Sequence, residues 1–285
     1  MCRLFGMLGN GRPSAEPWLV ETDHSLLKQA NGSNKQIQSD GWGIAWEAPG
    51  ESIRIEKGTG GAFAPGEVDR FRAAATRARA PLVVAHLRKA SNPMGLPSAR
   101  LIATENSQPF SHRQYLFAHN GSIHFPRETR PLLGGYESKV QGVNDSEVLF
   151  YLMLHHLDRQ SDPLAAYSRA IADLFRVWQE KGSPRIGPYS GLNVLFSRSP
   201  EELWAFCVYR GEHGPGLLDS THPYYELSYL ADSRQMVVGS EPFDSTRSDW
   251  RPLRNGQFLH AWAEHGLVGV KTGTIPMPPE LRALA

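Results

Sequence analysis

The order in which hydrophobic periods occur along this 285-residue chain limits its fold more than any single residue does. Short apolar runs fill the part up to His119, helical periodicity holds from Asn144 to Lys181, and short apolar runs return from Leu192 onward. In the first part, residues 2–8, 82–87 and 114–119 read as strands, and 43–47 with 52–56 as a hairpin around Ala48-Pro49-Gly50. Residues 67–78 carry Val68, Phe71 and Ala75 on one helical face. Helices are predicted over 144–156, opened by Asn144 and Glu147 in a capping-box-like pattern, and over 163–181, with Leu164, Tyr167, Ile171, Leu174 and Trp178 along one stripe. Strands follow at 192–196, 203–209, 225–230, 236–239, 258–263 and 267–270. Strands, then helices, then strands, without internal repeat or clean linker, predict one α+β domain over 1–285, with two packed sheets and helices outside. The proline-rich tail after Thr274 is expected to be a surface appendage.

Composition narrows the function. With 40% hydrophobic residues the chain can build a core, and 30 basic against 29 acidic side chains leave a formal charge of +1. That balance gives no electrostatic footprint for nucleic acid or an anionic membrane, so small neutral or zwitterionic molecules are the expected partners. Two cysteines, Cys2 and Cys207, make no disulfide framework. With no basic-then-apolar leader and no apolar run of about 18 residues, a soluble cytoplasmic protein is expected. The eleven histidines are scattered and neither HExxH nor CxxC occurs, so no metal is expected. Nor is a cofactor expected, because no Walker A loop or well-formed GxGxxG is present, and GxSxG is missing too.

Cys2 stands directly behind Met1. Removal of Met1 would put a thiol and a free α-amine on one residue, and an α-amine titrating at about 7.7–8.0 can take the thiol proton during attack. By itself Cys2 also reads as a small hydrophobe opening a strand. Asp40-Gly41-Trp42-Gly43 offers Asp40 and Trp42 as pocket residues, or an ordinary turn with a packed tryptophan. At the end of an apolar strand, Arg88 presents a planar fork suited to a carboxylate, or a rim ion pair. His86 reads as a core histidine. Asn120 and Gly121 supply a side-chain amide and a backbone N–H that could share one oxyanion, although Asn-Gly is also a common hairpin turn. Alternation turns His119 to the other face. Asp145 at a helix start could receive an ammonium group, and with Arg88 would clamp an α-amino acid head group.

Taken in order, Cys2, Asp40-Gly41-Trp42-Gly43, Ala85-His86-Leu87-Arg88, Glu105-Asn106-Ser107-Gln108-Pro109-Phe110, Ala118-His119-Asn120-Gly121 and Asn144-Asp145-Ser146-Glu147 resemble the class II glutamine amidotransferases of the N-terminal-nucleophile hydrolase superfamily. Gly239-Ser240-Glu241-Pro242-Phe243 resembles a later segment of a stand-alone subgroup. That subgroup is similar to the γ-glutamyl hydrolase of ergothioneine biosynthesis and to glutathione-degrading amidotransferase subunits. The resemblance implies a four-layer αββα sandwich, with Cys2 as nucleophile, its own amine as base, and Asn120 and Gly121 as the oxyanion hole. It implies that Arg88 binds the substrate α-carboxylate and Asp145 the α-amino group. Lys89 and Ser91 depart from the family's tryptophan and threonine, which makes Ser91 the nearest substitute for a second carboxylate contact. The implied reaction is hydrolysis of a γ-glutamyl amide through a Cys2 thioester. Two alternatives stay open: an ammonia-supplying subunit with a partner chain, and a non-catalytic binding protein of the same fold.

Overall fold

The computed structural model describes residues 2–32, 36–91, 96–181, 186–211 and 213–278. Its strands are β1 (Arg3–Gly9), β2 (Trp42–Glu47), β3 (Arg54–Gly58), β4 (Leu82–Leu87), β5 (Phe110–His112), β6 (Tyr115–Ile123) and β7 (Tyr189–Ser199), followed by β8 (Glu202–Cys207), β9 (Leu227–Ala231), β10 (Gln235–Gly239), β11 (Arg251–Leu253), β12 (Gln257–Glu264) and β13 (Leu267–Thr274). They form a seven-stranded sheet ordered β11-β9-β10-β1-β4-β2-β3 and a six-stranded sheet ordered β13-β12-β8-β7-β6-β5. The pairings are antiparallel throughout.

Side-chain alternation along the central strands sorts the core into three apolar seams. Leu4 and Leu8 of β1 meet Val84, Ala118, Leu195, Leu203 and Leu259 between the sheets. Phe5 and Met7 point the other way, onto Phe71, Ala74 and Ala75 of the Glu67–Arg77 helix. On the far side, Phe117 and Phe196 pack under Phe150, Leu154, Tyr167 and Ile171 of the Asp145–Gln160 and Pro163–Lys181 helices. Each fully buried aliphatic or aromatic side chain contributes about 1.5–3 kcal/mol of transfer free energy. Strands buried on both faces explain why 2–8 and 82–87 read as unbroken apolar runs rather than alternating ones. The result is a helix-sheet-sheet-helix sandwich, the αββα architecture expected from the sequence.

The Glu67–Arg77, Asp145–Gln160 and Pro163–Lys181 helices lie close to where periodicity put them. Two expectations need correction. Asn120-Gly121 is not a hairpin turn but sits inside β6, which continues to Ile123. The tail is packed at its start, since Ile275 is fully buried and Met277 nearly so in the helix-side core; residues 279–285 lie outside the described chain. Between β4 and β5, Ser98–Leu101 and Thr104–Asn106 form short helical turns, and 92–95 fall outside the described residues.

Candidate active site

Cys2 precedes β1, an interior strand paired with β4 on one side and β10 on the other. The β1–β4 register runs Arg3↔Leu87 and Leu4↔His86, so its continuation sets Cys2 opposite Arg88. Cys2 shares the alternation of Leu4 and therefore faces the other sheet. Its half-buried thiol donates to the Lys89 carbonyl at 3.7 Å. Burial raises the thiol above its ordinary value; the Lys89 hydrogen bond and the Arg88 charge draw it back, and Asp145 adds to the rise. A thiol shifted in that direction rests protonated, so nucleophilic attack requires a base to take its proton.

Arg88 follows β4 and is 4% exposed. Its Nη1 donates to the carbonyls of Asp40 (3.1 Å) and Leu101 (2.9 Å). The Asp40 backbone N–H donates to the Arg88 carbonyl, the Arg88 N–H donates to the Gly41 carbonyl, and the Asp40 carboxylate accepts the Ala90 N–H at 2.8 Å. Asp40 is thus a brace for the arginine strand. Trp42 is placed elsewhere. It is 1% exposed, its Nε1 donates to Glu67 Oε2 at 2.7 Å, and its ring meets Phe71 edge-on at 5.3 Å. The period-2 alternation of β2 turns Trp42, like Ile44, toward the helix layer, which removes it from the substrate contacts expected of it. Gly43 does serve the site, because a Cβ there would lie 2.2 Å from the Gln108 carbonyl oxygen.

On the opposite sheet, Asn120 pairs with Asn193 and Gly121 with Leu192. Gly121 has φ +146°, and a Cβ there would lie 1.8 Å from the Gly191 oxygen, so no other residue fits. Asn120 is fully buried, and neither its Nδ2 nor its Oδ1 has a protein partner. An unpaired buried amide costs about 1–3 kcal/mol. His119 points to the helix side, as alternation predicts. Its Nε2–H donates to the Gly191 carbonyl at 3.1 Å, which leaves Nδ1 to accept the Ser146 hydroxyl at 2.8 Å. Burial depresses its pKa to about 4, so the ring is neutral. Gln108 clamps the same residue, accepting the His119 N–H at 2.6 Å and donating to its carbonyl at 3.2 Å.

Asp145 opens the Asp145–Gln160 helix, packed on β6, and its Oδ2 accepts the Ile123 N–H at 2.8 Å. Burial raises its pKa to about 6, against the pull of hydrogen bonds from the Ile123, Asp145 and Ser146 N–H groups and of the Arg88 charge. The helix start differs in detail from a capping box. Asn144 accepts the Ser146 N–H, while Glu147 reaches back past it to the N–H groups of Gln141 (2.9 Å) and Gly142 (2.8 Å). Asn106 joins this loop to the arginine side: its Oδ1 accepts the Val143 N–H at 2.8 Å and its Nδ2 donates to the Arg100 and Leu101 carbonyls.

One cavity, with an empty volume of about 530 Å³ counting its open mouth, is lined by Cys2, Arg88, Ser91, Gly121 and Asp145 together. Asn120, the chain neighbour of Gly121, is fully buried and is not among the lining residues, and Ser91 Oγ stands 3.4 Å from Ser122 Oγ. Asn106, Gln108, Ser146 and Glu147 hold this arrangement through contacts that sequence did not foretell. Sequence offered Glu147 only a part in the helix start, and the other three only membership of family-like motifs. Among the described residues no group of three or more His, Cys, Asp and Glu side chains converges, and no described helix is long and apolar enough to cross a membrane.

Residues 1–272 match the family described as glutamine amidotransferases, class II. The γ-glutamyl-hercynylcysteine sulfoxide hydrolase of Mycolicibacterium smegmatis is 29% identical over 251 residues, covering 86% of this chain and 88% of that protein. The probable glutamine amidotransferase DUG3 of Saccharomyces cerevisiae is 27% identical over 303 aligned positions, covering 91% and 81%. In fold, a class-II glutamine aminotransferase domain protein of Silicibacter pomeroyi superposes with TM-score 0.64 at 22% identity, over 97% of this chain and all of that one. The glutamine phosphoribosylpyrophosphate amidotransferase of B. subtilis superposes with TM-score 0.62 at 19% identity, with half of that chain covered.

Proposed function

Because the chain belongs to the class-II glutamine amidotransferases, we propose that it hydrolyses a γ-glutamyl amide through a thioester on Cys2. The observation that carries this reading is the shared cavity of Cys2, Arg88, Gly121 and Asp145. The guanidinium of Arg88 would pair with the α-carboxylate of the glutamyl group and the Asp145 carboxylate with its α-ammonium, which orients the δ-carbonyl toward Cys2. Once Met1 is removed, the Cys2 α-amine takes the thiol proton as sulfur bonds to the carbonyl carbon. The oxyanion forms against Asn120 Nδ2 and the Gly121 N–H. Collapse breaks the carbon–nitrogen bond, and the amine returns the proton to the departing nitrogen. Water then adds to the thioester, with its proton passing through the same amine, and glutamate leaves as the thiol is restored.

A conjugate of glutamate with a larger amine fits better than free glutamine. The name of the Mycolicibacterium smegmatis relative describes hydrolysis of such a conjugate. The test is glutamate release by the purified protein from glutamine and from γ-glutamyl alkylamides, with Cys2→Ala as control. Release from the amides by the wild type alone supports the reading. Release that requires an added partner chain points to an ammonia-supplying subunit instead, and release that survives Cys2→Ala refutes the mechanism.

A further inference from the structure

We infer that Ser240 is a positioning residue for the reaction: its hydroxyl closes the β-ladder beside Cys2 and so fixes where the nucleophile stands relative to the bound carbonyl. The inference rests on the hydrolase reading above. It gives a task to Gly239-Ser240-Glu241-Pro242-Phe243, a segment that contributes no described lining residue to the Cys2 cavity.

The two edges of β1 are held differently. Toward β4 the pairing runs to the first residue of the strand, Arg3↔Leu87, whereas toward β10 it stops at Phe5↔Gly239. Ser240 takes over from there. Its N–H donates to the Leu4 carbonyl at 3.2 Å, and its Oγ accepts the Leu4 N–H at 2.9 Å, the place a carbonyl takes in a regular rung. Leu4 is fully buried and Ser240 is 1% exposed, so water cannot replace that acceptor. The tie lies two residues from the nucleophile. Continued to Cys2, the alternation of β1 puts the Cys2 nitrogen, the α-amine once Met1 is gone, on the same edge as the Leu4 nitrogen. Ser240 therefore sets the direction in which both the sulfur and its base leave the sheet.

The neighbours of Ser240 hold it in place. Glu241 is fully buried, and its Oε2 accepts the N–H groups of Leu218 (3.1 Å) and Asp219 (3.0 Å), which anchors the chain where it leaves the sheet. Phe243 folds back onto β1, with its ring edge-on to Phe5 at 5.3 Å. Gly239 makes room for that ring, since a Cβ there would lie 2.3 Å from it. The chain thus departs from the sheet where β1 still needs an acceptor, and the serine hydroxyl supplies it. Arg88 and Asp145 are fixed by other elements, through the Leu101 carbonyl and the Ile123 N–H. Loss of the hydroxyl should then misplace the nucleophile and leave the grip on the amino-acid end intact.

Ser240→Ala should lower kcat for glutamate release from γ-glutamyl-n-butylamide by about tenfold or more, with KM changed less than about twofold, because small misplacements of reacting groups are costly. Ser197, fully buried in β7 and paired with Leu116 at the start of β6, is the control. Its hydroxyl donates to the Ser199 carbonyl at 2.6 Å, and Ser197→Ala should lower the melting temperature without lowering kcat. Should Ser240→Ala not fold, Ser240→Thr and Ser240→Val fill the same volume and differ in the hydroxyl, and the threonine variant should have the higher kcat by about tenfold at equal KM. A kcat preserved in Ser240→Ala, a rise in KM in place of the fall in kcat, or equal kcat in the threonine and valine variants overturns the inference and leaves the hydrolase reading intact. A wild type that releases no glutamate refutes the hydrolase reading itself, and the inference with it.

Discussion

Two pockets of this molecule, the one that holds Cys2 and the one lined by tyrosines, are built in opposite ways. The narrow one draws its walls from β1, the end of β4, β6 and a helix start, and its charged groups are held by hydrogen bonds between residues distant in sequence. Among the described residues, the open one is lined by Tyr209, Tyr224 and Tyr225, whose rings lean on one another. Reaction geometry tolerates little displacement, and sheet ends buried on both faces supply that rigidity. A loop-built wall carries no such demand, and loops tolerate change more readily than sheet ends.

Cys2→Ala should disable the narrow pocket outright, removing glutamate release from every γ-glutamyl compound; residual turnover in a stopped assay contradicts the nucleophile assignment. Next in size, Asn120→Ala should lower kcat by about 10²–10³-fold, equally for all amides. A rise in KM with kcat preserved would instead make Asn120 a binding residue. Asp145→Asn should act on the narrow side alone, raising KM on the order of tenfold for glutamine and conjugates alike. With Asp145 titrating near 6, the wild-type KM should climb as pH falls through that value, and the variant's should not. Stability should move the other way. The folded pKa exceeds the unfolded one, so ionising Asp145 costs stability as pH rises from about 4 to 6, and the neutral variant should unfold at a higher temperature at pH 7.5 but not at pH 4. The smallest change expected is from Ser91→Ala at the exposed rim, about threefold or less in KM; a tenfold rise would make Ser91 a principal carboxylate contact.

Sequence made the strand-bound groups legible and the bracing groups invisible. Cys2, Arg88, Asn120 and Asp145 stand at element ends or beside glycines, where type and position together suggest chemistry. Trp42 misled because a tryptophan between glycines resembles a pocket wall, whereas its alternation with Ile44 and Trp46 faced the helix layer. Gln108 and Asn106 hold β6 and the 140–144 loop through contacts with residues 11 and 37 positions away, which no local period records. The two histidines in similar Ala-His motifs show the same limit. His119 has two partners across the fold, while His86 is fully buried against the His119 backbone. Both are held neutral by burial, with pKa values depressed to about 4 and 3. Stability from these neutral rings is complete above about 6.5, where unfolded histidine is deprotonated, and is lost as pH falls toward those values.

The most direct test is intact-mass analysis and peptide mapping after reaction with a diazoketone analogue of glutamine. The account predicts one adduct, carried by the Cys2 sulfur of a chain that has lost Met1, and protection by a γ-glutamyl amide. An unlabelled chain, a label on buried Cys207, or a fully active chain that retains Met1 would contradict it.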